Sequence, residues 1–299
     1  MKNRRAGTAT RRHGDKTPAP RSSAPPPLGV PLITLLTGFG TDDYFVAAVK
    51  GVILGLSPRA RFVDITHEIP PHDIETAAFT LLAACWSFPA GTIHIAVVDP
   101  GVGSSRRPIL IDLDGHFFVG PDNGIFSYVC DSRINPELKP QIFHLTNTHY
   151  FRHPVSSTFN GRDVFAPVAA ALSNGVKPCD LGPGIIDIAR LKPLRPAAAQ
   201  DGHLEGRIIH IDRFGNCVTN ISQNELSSER ISAGVSLTLN GKSVKSFRSY
   251  FAEETGVADK LFGIWGSAGF LEIAALNKSA AKILKAQRGD SVIVIARAT

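Results

Sequence analysis

The 299-residue sequence predicts an α/β protein: an N-terminal domain on a doubly wound, mostly parallel sheet, then a smaller C-terminal all-β domain of barrel or sandwich type. Three observations predict it. Up to about residue 190, apolar runs without alternation take turns with segments of helical periodicity, the pattern of strands buried on both faces between crossover helices. Residues 191–201 (LKPLRPAAAQD) then hold two prolines and three alanines with no periodicity, as a linker does. Beyond them, short β-type segments are separated by Gly, Asn and Ser. The expected divisions are a tail over 1–30, an α/β domain over 31–192, a linker over 193–202 and a β domain over 203–299.

Leu32–Leu36 reads as a buried strand ending in Thr37-Gly38-Phe39-Gly40. Tyr44–Leu56 places Phe45, Val49, Val52, Ile53 and Leu56 at helical spacing and stops before Ser57-Pro58. A strand over Arg61–Ile65, a helix over Glu75–Phe88 and a strand over Thr92–Val98 complete the alternation. Pro108–Leu113 and His116–Val119 form a hairpin around Asp114-Gly115, and helices are expected over Gly124–Cys130 and Asp163–Asn174. In the second domain, strands are expected over Gly206–Asp212, Val218–Ile221, Val235–Leu239, Leu271–Ala275 and Ser291–Arg297, with only Ser279–Lys285 helical.

The net charge of +6 sits at one end. Residues 1–30 hold seven basic residues and one acid, and the rest of the chain carries 25 of each. A neutral body argues against nucleic acid as partner despite the basic total. The tail, with five prolines and almost no large apolar residue, is expected to be disordered, and it lacks the apolar stretch of a signal peptide. No run reaches the roughly 18 apolar residues of a membrane span. Cys85, Cys130, Cys179 and Cys217 are widely spaced with no Cys-x-x-Cys pair, so free thiols in a reducing cytoplasm are expected, and no metal site.

In open α/β sheets ligands bind beyond the carboxyl ends of the strands, which singles out four polar segments. The first, residues 37–43, offers two glycines with Asp42 and Asp43; read blandly, one of these acids caps the next helix. The second, residues 98–107, ends a strand in Asp99-Pro100-Gly101 with Arg106 and Arg107 seven and eight positions on, close enough to fold back on the carboxylate. No lysine follows its glycines, which argues against a Walker-type phosphate loop. The third, residues 156–163, is a polar stretch before a helix, with Asp163 placed for the helix dipole. The fourth, residues 212–220, sets Phe214 beside Gly215, Asn216 and Asn220, which suits a flat heteroaromatic base or a plain hairpin turn.

Taken in order, the stretches LLTGFGTDDYFVAAVKGVIL, VDITHEIPPHDIETAAFTL, GTIHIAVVDPGVGSSRRPI, FVGPDNGIFS, STFNGRDVFAPVAA and IDRFGNCVTNI resemble the S-adenosylmethionine hydroxide adenosyltransferases, relatives of fluorinating and chlorinating enzymes. The resemblance covers residues 32–299. It implies hydrolysis of S-adenosylmethionine to adenosine and methionine without metal or cofactor, in a homotrimer whose sites lie between the N-terminal domain of one subunit and the C-terminal domain of the next. It implies that Asp99, Arg106 (with Arg107 as fallback) and Asn160 hold the attacking water, the Asp separating the chain from halogenases, which carry a Tyr there. Asp43 and Asp212 match residues that hold the methionine ammonium, Phe159 an aromatic near the ribose, and Asn216 an adenine-side contact. Ser267 and Glu272, in GSAGFLEIA, fall on a segment that completes the pocket. His72 falls where halogenases have Trp, and His67 reads as structural. Two positions depart from the family pattern: Gly38 replaces an Asp that bonds the ribose hydroxyls, and Asn160 replaces a His. An alternative therefore stands beside the hydrolase, a catalytically impaired protein of the same fold that binds S-adenosylmethionine or adenosine.

Overall fold

The computed structural model describes residues 29–131, 134, 137, 139–198, 203–253 and 260–296. The expected tail thus lies almost wholly outside the described residues, as do residues 199–202 of the expected linker. The N-terminal sheet has seven strands: β1 (Leu32–Thr37), β2 (Arg61–Thr66), β3 (Ile93–Val97), β4 (Pro108–Leu113), β5 (His116–Pro121), β6 (Gln141–His144) and β7 (Gly184–Ile185), ordered β2-β1-β3-β5-β4-β6-β7. Strands β2, β1, β3 and β5 are mutually parallel, and β4, β6 and β7 extend the sheet antiparallel. The β4–β5 hairpin turns at Asp114-Gly115, both at positive φ, which matches the right-handed twist of the strands.

Helices cover both faces. On one, α1 (Phe45–Leu56) and α3 (Ala166–Ser173) bury Val49, Ile53, Val168 and Ala169 against Ile33, Leu35, Ile93 and Ile95. On the other, α2 (Ile74–Cys85) lays Ala77, Ala78, Leu81 and Leu82 over Leu36, Ala96, Ile109 and Phe118. Its first turn is held by Asp73, whose carboxylate accepts from Thr76 N at 3.0 Å. Polar groups also lie on the α2 face: His94 Nδ1 meets Thr34 Oγ1 at 2.7 Å, and its Nε2 meets His116 Nδ1 at 3.1 Å. Burial first, and then the neighbouring His116, pushes the His94 pKa down to about 3.

The C-terminal domain is one curled sheet, mostly antiparallel, of β8 (Ala197–Ala198), β9 (Leu204–Ile211), β10 (Cys217–Ser222), β11 (Val235–Leu239), β12 (Lys242–Val244), β13 (Phe247–Arg248), β14 (Phe262–Trp265), β15 (Phe270–Ala274) and β16 (Ser291–Ala296), with α4 (Ser228–Gly234) and α5 (Ala280–Leu284) beside it. One face packs on its own core through Cys217, Leu271 and Ile273. The other joins the N-terminal core: Ile209, Val218 and Phe270 belong to the same apolar cluster as α2. Phe79 of α2 sits 5.1 Å from the His210 ring and 6.1 Å from that of Phe270. Arg207 reaches across to Glu75 at 2.6 Å, and Arg288 to Asp73.

The structure corrects three expectations. Gly124–Cys130 is a string of tight turns, not a helix, because Asn123 Oδ1 takes the Ile125 amide and Ser127 N closes back on Gly124 O. Ser279–Lys285 is not the only helical stretch of the second domain: Ser228–Gly234 is helical too, capped by Ser227, but it buries no residue and so carries no apolar period to read. The helix expected over Asp163–Asn174 begins as a wider turn over Gly161–Phe165 before becoming α3.

Candidate functional site

The first three polar segments meet at the carboxyl ends of β1 and β3. Asp99 stands two residues past β3 with its side chain 7% exposed; its Oδ1 accepts from Gly101 N at 3.1 Å and pairs with Arg106 Nη1. Arg107, the fallback, turns the other way, holding Asp122 at 2.6 Å and Asp187 at 3.2 Å. The adjacent arginines thus divide the work, and Arg106 alone faces Asp99. Gly103, at φ +81°, brings this loop against residues 156–158 so closely that a Cβ would lie 2.3 Å from Ser157 O.

That contact places the Asp99 loop beside the segment carrying Asn160. Asn160 is half-buried, begins the turn over Gly161–Phe165, and makes no side-chain capping bond there. Phe159 is buried edge-on against Phe39 and Phe45, with ring centroids 6.0 and 5.2 Å away, and the Arg162 guanidinium lies 5.1 Å from its ring centre. Asp163 is fully buried rather than a helix cap: it takes Arg162 at 2.7 Å, Ser156 N at 2.9 Å and Arg152 at 3.1 Å. Burial alone would raise its carboxyl, but these donors prevail and hold it below the usual range. Phe39 is a site-building residue to which sequence reasoning assigned no role, and Asp163 is one that it offered only as a helix cap; the adjacent Arg162-Asp163 pair was the available signal.

Neither Asp42 nor Asp43 caps α1. Its cap position is Tyr44, with no side-chain bond, and both carboxylates are exposed. Gly38 has little room for a side chain: a Cβ would lie 3.0 Å from Ile69 O and 3.6 Å from Val98 Cγ2. His72 is an exposed residue at φ 67° in the turn before α2. His67 is buried, its Nδ1 2.8 Å from Thr37 Oγ1.

The C-terminal candidates gather separately, around the turn joining β9 and β10. The Asp212 carboxylate accepts from Phe214 N at 2.9 Å, Asn216 N at 2.8 Å and Asn216 Nδ2 at 2.8 Å, which fixes the turn and the buried amide of Asn216. Ser279, the cap of α5, tucks against Gly215 so tightly that a Cβ there would meet its Oγ at 2.0 Å. These residues frame a cavity of about 520 Å³ whose lining includes Phe214, Asn216, Phe251, Asn277 and Ser279, all from this domain. Phe214 projects into it and into solvent, 77% exposed. Glu272, on β15 opposite Val218, lies over Gly266, and burial first, then the charge of Asp212, raises its carboxyl pKa. Ser267 does not join this group. It lines a different cleft of about 450 Å³, between α2 and the β14–β15 turn, with Leu82, Trp86 and Phe270.

Among the described residues, no group of three or more His, Cys, Asp or Glu side chains is arranged to hold a metal ion, and no helix is long and apolar enough to cross a membrane. Cys85, Cys130 and Cys217 are buried free thiols and Cys179 an exposed one. Burial pushes the Cys130 and Cys217 thiols up to about 12.

Comparison with known proteins gives one result over both domains. The model of the SAM hydroxide adenosyltransferase N-terminal domain matches residues 33–182, and that of the C-terminal domain matches residues 206–293. The (R)-S-adenosyl-L-methionine hydrolase of Methanocaldococcus jannaschii is 35% identical over 88% of this chain and 95% of its own length; that of Thermus thermophilus is 34% identical over 87% and 98%. A fluorinase of an Actinoplanes species is more distant, at 26% identity over 83% of this chain and 92% of its own. The crystal structure of a conserved Thermotoga maritima protein superposes with a TM-score of 0.78 at 32% identity, covering 89% of this chain and all of that one. With both domains matched in order across a chain that folds as described, the protein belongs to the SAM hydroxide adenosyltransferase family.

Proposed function

We propose that this protein hydrolyses S-adenosylmethionine to adenosine and methionine, with Asp99 and Arg106 as the groups that activate water. The observation that carries the reading is the Asp99–Arg106 pair at the carboxyl end of β3, in a chain about one-third identical to two (R)-S-adenosyl-L-methionine hydrolases. Water oxygen attacks the ribose C5′, the C5′–S bond breaks, and its electron pair leaves with sulfur. The leaving group is a neutral thioether and needs no proton, so one proton must be accepted, from a nucleophile whose free pKa is about 15.7. Asp99 is the acceptor; Arg106 orients it, and the Asn160 amide directs the water but cannot take its proton.

Substrate binding divides between the two half-sites. Phe214 and Asn216 take the adenine, Asp43 and Asp212 the ammonium, Phe159 backs the ribose, and Glu272 closes the C-terminal side, while Ser267, in the cleft beside α2, lies apart from them. As the family resemblance implies, we infer a homotrimer in which one copy's C-terminal cavity covers another's Asp99 loop. Tyr44 and Val102 are exposed apolar residues near the first half-site, and Phe214 and Phe251 at the second. Four free thiols and a metabolite substrate fit a cytoplasmic setting.

The test is incubation with each sulfonium epimer of S-adenosylmethionine, followed by chromatographic measurement of adenosine and methionine, beside an Asp99→Ala control. Release of both products by the wild type but not the control is expected. Binding without turnover above that control would instead favour the alternative in which Gly38 and Asn160 leave a binding protein.

A further inference from the structure

We propose that His67, outside the residues assigned to water or substrate, is a positioning residue of this same site: it holds the Thr37 hydroxyl, fixes the turn 37–40, and through Phe39 sets the segment bearing Asn160. The proposal rests on the hydrolytic reading above.

The turn is tied on several sides. Its main chain is held by Gly38 N donating to Val97 O at 3.3 Å, Gly40 N to His67 O at 2.9 Å, and Ile69 N to Thr37 O at 3.4 Å. At its centre, Thr37 Oγ1 lies 2.8 Å from His67 Nδ1 and accepts from Phe39 N at 3.3 Å. A hydroxyl has one proton to give, so the Phe39 amide is best served when Thr37 donates to Nδ1 and turns its lone pairs toward Phe39. That needs the imidazole proton on Nε2, which faces Asp64 Oδ1 at 3.2 Å without an aligned hydrogen bond. Asp64 is itself anchored by Lys50 at 2.6 Å; burial would raise its carboxyl, but Lys50 and then His67 hold it below the usual range.

What the turn positions is Phe39. Its ring meets Phe45 at 5.7 Å and Phe159 at 6.0 Å, and a Cβ on Gly161 would touch both Phe39 and Phe159 at 3.4 Å. The two rings therefore clasp the backbone on either side of Asn160. A residue that sets Phe39 sets where the Asn160 amide points, and a displacement well under the size of a water molecule is costly for a positioned nucleophile.

The side chains of Asn and Gln separate this role from simple filling of space. An Asn amide reaches the position of Nδ1, and a Gln amide that of Nε2. His67→Gln and Thr37→Val are each expected to lower kcat on S-adenosylmethionine about tenfold, the scale of one well-placed hydrogen bond. KM should hold within about twofold, and exchange of the Phe39 amide should quicken. His67→Asn should recover kcat to within about threefold of wild type, and the double variant His67→Gln with Thr37→Val should be no worse than either single one, since both break one contact. Equal losses in the Asn and Gln variants, no loss in either, or losses that simply follow Tm would overturn the proposal. If the wild type turns over neither epimer, the hydrolytic reading fails on its own. Phe39 amide exchange in the Asn and Gln variants then still decides whether His67 holds the turn.

Discussion

Two carboxylates of this protein sit in turns of nearly the same design and face opposite electrostatics. Asp99 follows β3, accepts a backbone amide two residues ahead, and meets the guanidinium of Arg106. Asp212 follows β9, accepts the amide two residues ahead and that of Asn216, and its charge is felt by Glu272. A carboxylate braced by a cation within its own loop is held in one orientation, which suits a proton acceptor. One whose nearby charge is another carboxylate gains most from a cation arriving with the ligand. The difference fits the proposed division, with chemistry at the N-terminal half-site and recognition at the C-terminal one.

The sharpest way to break that division is Asp99→Asn. The amide keeps an oxygen for Gly101 N and removes only the charge opposite Arg106, so folding should survive with Tm within a few degrees of wild type. Loss of a general base typically costs about 10² to 10⁴ in rate. Steady-state kinetics should show that loss in kcat with little change in KM. A rise in KM with kcat preserved would move Asp99 to the binding half and undo the comparison.

A second, smaller effect keeps acid unfolding from being mistaken for titration of either carboxylate. The His94 pKa is pushed down to about 3 in the folded protein, mainly by burial, against about 6.5 in the unfolded chain. The unfolded state therefore binds a proton that the folded state refuses. Stability is intact above pH 6.5, and falls by about 1.4 kcal/mol per pH unit between there and pH 3. At pH 5 the loss is about 2 kcal/mol. Urea titrations of wild type and His94→Gln should diverge below pH 6.5, the variant showing the flatter slope; parallel curves would place the acid sensitivity elsewhere.

Much of the fold was legible because its signals are local. The unalternated run Leu32–Leu36 and the heptad-like spacing of Val49, Ile53 and Leu56 give a strand and a helix within a residue or two of β1 and α1. Several of the failures concern partners that the local pattern does not reveal. Arg106 and Arg107 are indistinguishable until Asp122 and Asp187, 15 and 80 residues away, claim the second. Asp163 reads as a cap until Arg152 and Ser156 fold around it. Ser267 is close in sequence to Glu272, yet the β14–β15 turn delivers one to the α2 cleft and the other to the Asp212 side. Segment order predicted the family; which side chain meets which was settled by how the loops pack.

The smallest effect probes the C-terminal half directly. The Glu272 carboxyl is raised by burial and then by Asp212, so its ionised form is disfavoured in the free protein. A raised acid pKa penalises the folded state above the unfolded value, and the penalty fades as pH falls toward and below it. Glu272→Gln keeps the shape over Gly266 and removes the charge, so at pH 7 it should raise Tm by a degree or two, a gain absent near pH 4. The same change should weaken a cationic ligand and spare a neutral one: KM for S-adenosylmethionine should rise a few-fold while inhibition by adenosine is unchanged, with kcat close to wild type. A Glu272→Gln enzyme whose kcat falls while its KM holds would show that the C-terminal carboxylates take part in the chemistry, and the contrast between the two turns would no longer separate catalysis from recognition.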